Sequence, residues 1–151
     1  MTQPNELEMM EQYVSGERPP GVWLQLSADC SEEPGAVLDR IRDVMRVVVT
    51  QRAKDWPSDD WWMLNLPDWF AEPAKRRSIE ACIQDRTLWL LDSWVAAIKD
   101  TGWLWWSSKV SDAGLEINLC AYEHPYRIEV FEYLMRAAGA TGLDFQEPEP
   151  Q

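Results

Sequence analysis

The chain has little of the equipment that most catalysis and ligand chemistry requires. It contains one histidine, His124, so any Ser-His-Asp, Cys-His or two-histidine metal mechanism must run through that residue. Its three cysteines, Cys30, Cys82 and Cys120, are odd in number, far apart and without C-x-x-C spacing. That pattern argues against a disulfide framework and suits reduced thiols in a cytosol. The seven glycines are scattered, and none forms the G-x-G-x-x-G or G-x-x-x-x-G-K-[ST] loop that cradles phosphate. Long apolar runs are missing as well. Val47 to Val49, Leu88 to Leu91 and Trp103 to Trp106 all fall far short of the ~20 residues that span a bilayer. Met1 to Glu6 carry neither the basic nor the apolar region of an export signal.

Positive charge is scarce too. Fourteen basic side chains face 26 acidic ones, a formal charge of −12. The only basic run, Lys75-Arg76-Arg77, is too short for a phosphate footprint, so nucleic acid and anionic membrane are not expected partners. A basic protein is the natural electrostatic partner, although the same charge also keeps a tryptophan-rich protein soluble. Apolar residues make up 46% of the 151, ten of them tryptophan. A chain of this size buries roughly 70% of the surface exposed when unfolded, and one soluble domain over residues 1–145 is expected, followed by a flexible proline-acid tail over 146–151.

The order of elements is legible from periodicity. Leu7, Met10 and Val14 predict a short helix over 5–15 ending at Gly16. Val22 to Ala28 alternates as a half-buried strand. Val37, Leu38, Ile41, Val44, Met45 and Val48 form the stripe of a long helix opened by Ser31, Glu32, Glu33 and Pro34. Residues 56–73 read as short helices interrupted at Pro67 and Pro73, with Ser58 as an N-cap. A helical turn over 78–84 and a firm helix over 85–99 follow. Trp103 to Lys109 and Leu115 to Tyr122 make a hairpin, and a helix over 126–138 and a short edge strand over 140–145 complete the chain. With a tryptophan-rich helical insertion at about 55–100 set aside, the order is β-α-β-β-α-β. That order predicts an α+β fold with a four-stranded antiparallel sheet of ferredoxin-like, split β-α-β type.

One strand is anomalous, because Trp103 and Trp105 alternate with Leu104 and Trp106 and so place indoles on both faces. The expectation is that tryptophans of the insertion cover the second face.

Chemical constellations are weak. His124 lies near Cys120 and Glu123 without a metal-ligand spacing, and a place before Pro125 at a helix start accounts for it. Ser107 and Ser108 lack a G-x-S-x-G elbow. The pairs Asp59 with Asp60 and Glu32 with Glu33 sit at helix starts, where the dipole explains them. No catalytic set, cofactor site or metal site is expected. The informative grouping is Trp56, Trp61, Trp62 and Trp69 alternating with Asp55, Asp59, Asp60, Asp68 and Glu72. Aromatic anchors inside an acidic rim suit a surface that binds a basic protein. The same composition also suits a helical flap whose indoles are core and whose acids face water.

Trp56-Pro57-Ser58, Leu66-Pro67-Asp68-Trp69-Phe70, Trp103 to Ser108 and the closing Arg136 to Ala140 resemble small acidic bacterial immunity proteins encoded beside polymorphic toxins of the Rhs and contact-dependent kind. The likeness spans roughly residues 55–142. It implies a non-enzymatic, cytoplasmic protein that neutralises a cognate toxin domain by stoichiometric binding, and it transfers no binding residue by position. Two other readings stand beside it. One is a small-molecule-binding or enzymatic domain with a tryptophan-lined pocket near His124. The other is a homodimer formed through the sheet face or an edge strand.

Overall fold

The computed structural model describes residues 6–11, 22–30, 32–112, 114–123 and 126–147. His124 and the expected helix residues Val14 and Gly16 lie outside the described residues. Strand β1 (Val22–Cys30) buries Leu24, Leu26 and Ala28 and leaves Trp23, Gln25 and Ser27 half-exposed on the other face. Helix α2 (Pro34–Arg52) starts with proline at its first turn and buries the predicted stripe from Val37 to Val48. Strands β2 (Trp103–Val110) and β3 (Gly114–Ala121) form the hairpin. Helix α7 (Glu129–Ala138) ends at Gly139, whose φ of 115° supplies the left-handed turn a C-cap needs. Strand β4 (Ala140–Gln146) closes the sheet.

The sheet order is β2-β3-β1-β4, and every neighbouring pair is antiparallel. This is the ferredoxin-like arrangement, with β1 and β3 central and the tryptophan-rich strand at an edge. Leu24 lies opposite Leu119 and Leu26 opposite Ile117, so both central strands turn the same apolar face toward α2 and α7. Phe131 of α7 packs edge-on against Trp103 at 5.2 Å and Trp105 at 5.8 Å.

A bulge interrupts the two-faced strand at Trp106. Trp105 lies opposite Leu119 and Ser107 opposite Asn118, so Trp106 is an extra residue on β2. Trp103 and Trp105 are enclosed in the core, whereas Leu104 and Trp106 belong to the opposite face of the sheet, which is helix-free among the described residues. After the bulge Ser108 turns toward the helices and accepts a hydrogen bond from Arg42 Nη2 at 3.1 Å.

The expected cover for the helix-free face is corrected. The insertion holds α3 (Asp59–Asn65), α4 (Asp68–Arg76), α5 (Ile79–Gln84) and α6 (Leu91–Ile98). Helix α3 packs on α6, and α4 packs on α6 and α7, which extends the helical layer outward from the sheet. Phe70 is the centre of this packing, with ring contacts to Trp94 at 4.6 Å and to Tyr133 and Trp69 at 5.8 Å. Pro73 does not interrupt α4. It sits exposed inside the helix, where it deletes a single backbone donor. The helix expected over 85–99 begins only at Leu91. The Asp85 carboxylate accepts both the amide and the hydroxyl of Thr87 and so stabilises a turn in place of the first helical turns.

The outer edge of β2 is covered by α1 (Glu6–Glu11), which packs on β2 and α2. Glu6 Oε2 accepts the Trp105 amide at 2.8 Å, and Met10 is wholly buried. A carboxylate thus takes the place of the carbonyl of a further strand.

Candidate interaction surface

The insertion carries all nine residues singled out from sequence, and it separates them by depth. Asp55, Asp59, Asp60 and Asp68 are exposed. Two of them, Asp59 and Asp60, lie in the first turn of α3, and Asp68 opens α4, where the helix dipoles favour negative charge. Glu72 is half-buried and paired with Lys75 at 3.3 Å and Arg76 at 3.5 Å. Trp56, Trp61 and Trp69 are half-buried against the core. Trp62 has no exposed surface and stacks with Trp56 at 4.6 Å and Trp61 at 5.0 Å. As an anchor for a partner Trp62 is therefore set aside. The four aspartates are exposed, and the indoles beside them in sequence are half-buried or, at Trp62, enclosed.

The apolar groups that do face water were not singled out. Leu64 on α3 is 83% exposed, and Ile79 and Ile83 on α5 are 66% and 72% exposed. The signal was present as an i,i+4 isoleucine pair in a short helical segment with no other apolar periodicity. Ser58 occupies the N-cap of α3 without a capping side-chain bond, whereas the Ser78 hydroxyl caps α5 by accepting the Ala81 amide at 3.1 Å.

A second feature lies on the helix-free face. A cleft of about 400 Å³ opens at the hairpin end, lined by Ser27, Asp29, Lys109, Ser111, Glu116 and Asp144 among others, and by no tryptophan. Glu116 receives Lys109 at 3.6 Å and the Asn118 amide at 3.2 Å. Asn118 also accepts the Trp23 indole N–H at 3.0 Å and donates to Ser107 at 3.1 Å, so one buried amide ties three strands together. Two glycines shape this end of the sheet. A Cβ on Gly114 would lie 2.4 Å from the Ala28 carbonyl oxygen, and Gly142, at φ 56°, approaches Asp29.

Among the described residues no group of three or more His, Cys, Asp or Glu side chains is placed to hold a metal ion. No disulfide joins Cys30, Cys82 and Cys120, and burial, reinforced by the Asp29 charge, pushes the Cys30 thiol up and away from its nucleophilic form. No helix among the described residues is long and apolar enough to cross a membrane. No protein-family model matches the chain, and neither a curated protein nor a solved structure is similar to it.

Proposed function

We propose that this chain is a cytoplasmic immunity or inhibitor protein, without enzymatic activity, that neutralises a cognate bacterial toxin domain by stoichiometric binding. The toxin domain is expected to be basic. One observation carries the reading. In a chain of charge −12, Asp55, Asp59, Asp60 and Asp68 all stand exposed on one helical insertion, with no ion pair to any of them among the described residues. Unneutralised carboxylates spread over an insertion are not needed to hold the sheet, and they raise the encounter rate with a cationic partner. The resemblance of residues 55–142 to toxin-associated immunity proteins supplies the biological class.

The test is binding to the toxin domain encoded beside this chain. Reversing Asp59 and Asp60 to lysine should slow association by ~10-fold at low ionic strength, with the difference closing as salt rises and the Debye length contracts. An unchanged association rate would remove α3 from the interface. Failure of the unaltered protein to bind or protect against that toxin would end the reading.

A further inference from the structure

Helix α5 is an oddity in physical terms. None of its six residues is buried, and it is nonetheless fixed at both ends. On one side Arg77 Nη1 donates to the Trp89 carbonyl at 2.7 Å and the Tyr133 hydroxyl at 2.8 Å, with its guanidinium 5.6 Å from the Tyr133 ring. On the other side the Asp85–Thr87 turn closes the segment, and those hydrogen bonds hold the Asp85 carboxyl below its usual range. The Ser78 cap completes the frame. An isolated helix this short would not persist in water, so the flanking bonds hold a conformation that α5 does not stabilise by burying itself. The result is a pre-formed turn whose isoleucines, Ile79 and Ile83, lie one above the other and face outward.

Resting on the reading above, we infer that α5 is the apolar anchor of the interface and that Ile79 and Ile83 insert into an apolar groove on the basic partner. Charge complementarity selects that occupant. Glu72 is matched by Lys75 and Arg76, and Arg77 is committed to Trp89 and Tyr133. Beyond these, residues 55–100 carry exposed Glu80, Asp85, Asp92, Asp100 and the four aspartates of the expected rim, against Arg86 and Lys99. Two copies of such a surface would repel each other, whereas a cationic rim around a groove would be drawn to it. Helix-in-groove recognition uses this i,i+4 spacing, and a helix already held in place loses little entropy on docking.

The experiment compares the full chain with Ile79→Ala, Ile83→Ala and the double variant, each against the toxin domain encoded beside this chain. Exposed isoleucines make these changes harmless to the fold, and thermal unfolding checks that. Each variant should raise the dissociation rate by ~10-fold and the pair by ~100-fold, the loss expected for removing buried methylenes. The association rate and its salt dependence should stay as in the unaltered protein. Amides of residues 79–84 should become protected from hydrogen exchange in the complex. Binding that survives the double variant within twofold, with α5 amides unprotected, overturns the anchor and leaves the proposed function standing. Absence of binding by the unaltered chain overturns both. A dimer of the free chain that the double variant dissociates would make a second copy the occupant, and that too overturns the assignment.

Discussion

Replacing Arg52 with methionine tests how the edge of the sheet is held. Arg52 Nη1 lies 3.2 Å from Glu6 Oε1, its Nε donates to the Ile98 carbonyl at 3.2 Å, and its guanidinium sits 5.9 Å from the Trp103 ring. One side chain therefore joins α1, α2, α6 and β2. Glu6 is only 8% exposed. Its carboxyl is raised above 4.5 chiefly by burial, with the Arg52 charge, the Trp105 amide and the Arg52 hydrogen bond pulling it back down. Methionine keeps much of the stem packing and removes the charge, which leaves a buried carboxylate with one amide partner. Breaking a buried pair from one side costs about 3–5 kcal/mol, and that loss is expected at pH 7.5.

The sign with pH follows from the direction of the shift. A carboxyl raised in the folded state contributes stability that is fully present below its unfolded value near 4.5 and is lost as pH rises through the folded value. Without Arg52 the folded value climbs further, so the deficit of Arg52→Met should shrink as the pH falls from 7.5 toward 5. Within the window where folded Glu6 is protonated and unfolded Glu6 is not, the slope approaches about 1.4 kcal/mol per pH unit. Urea unfolding at several pH values measures this, with Arg52→Met/Glu6→Gln as the reference that has no carboxyl to titrate at position 6. A deficit that is the same at pH 5 and pH 7.5 would refute the assignment of Glu6 as the titrating group.

Three further predictions concern the glycines and the enclosed indoles. Gly114→Ala must displace the Ala28 carbonyl, which is backbone and cannot swing aside, so a loss of about 2 kcal/mol or more is expected in thermal unfolding. Gly35→Ala meets nothing nearer than 3.9 Å in the first turn of α2 and should stabilise by about 0.5–1 kcal/mol. The enclosed indoles Trp94 and Trp62 should respond differently to phenylalanine. Trp94 donates to the Val130 carbonyl at 2.9 Å, whereas the Trp62 N–H has no partner among the described residues, so Trp94→Phe should cost about 1–3 kcal/mol more than Trp62→Phe in chemical denaturation. Equal losses would mean that ring volume alone decides the matter.

Sequence periodicity reached the sheet because its central strands obey the simplest rule. Leu24 and Leu26 on β1, and Leu115, Ile117 and Leu119 on β3, alternate around one buried face, and α2 carries an unbroken stripe. The bulge on β2 was not legible, since Trp106 looks like any strand residue until its neighbours across the sheet are known. In the insertion the short helices of 56–73 and the turn over 78–84 were legible, but Pro73 does not break α4, the helix expected over 85–99 begins only at Leu91, and the whole was expected on the other side of the sheet. Its Phe70 finds Trp94 and Tyr133, which are contacts between distant segments that no local pattern encodes. The exposed isoleucines of α5 were visible as letters, but their exposure follows only from the absence of an element packed above them. Glu6 was hidden for the same reason. A glutamate in a charged N-terminal helix reads as solvated, and only the open edge of β2 turns it into a buried acceptor.

The bond between Glu6 and Trp105 joins residues 99 apart in the chain, and this has a consequence for the order of assembly. At ~5–20 residues per second of synthesis, α1 precedes the strand it will dock on by roughly 5–20 s. During that interval its carboxylate stays hydrated, with no desolvation to bear. When the tryptophan-rich strand then emerges and pairs with β3, the helix that blocks its free edge is already tethered to the same molecule. The edge most able to recruit another nascent chain is therefore never synthesised before its cover, so intramolecular capping competes from the outset with aggregation.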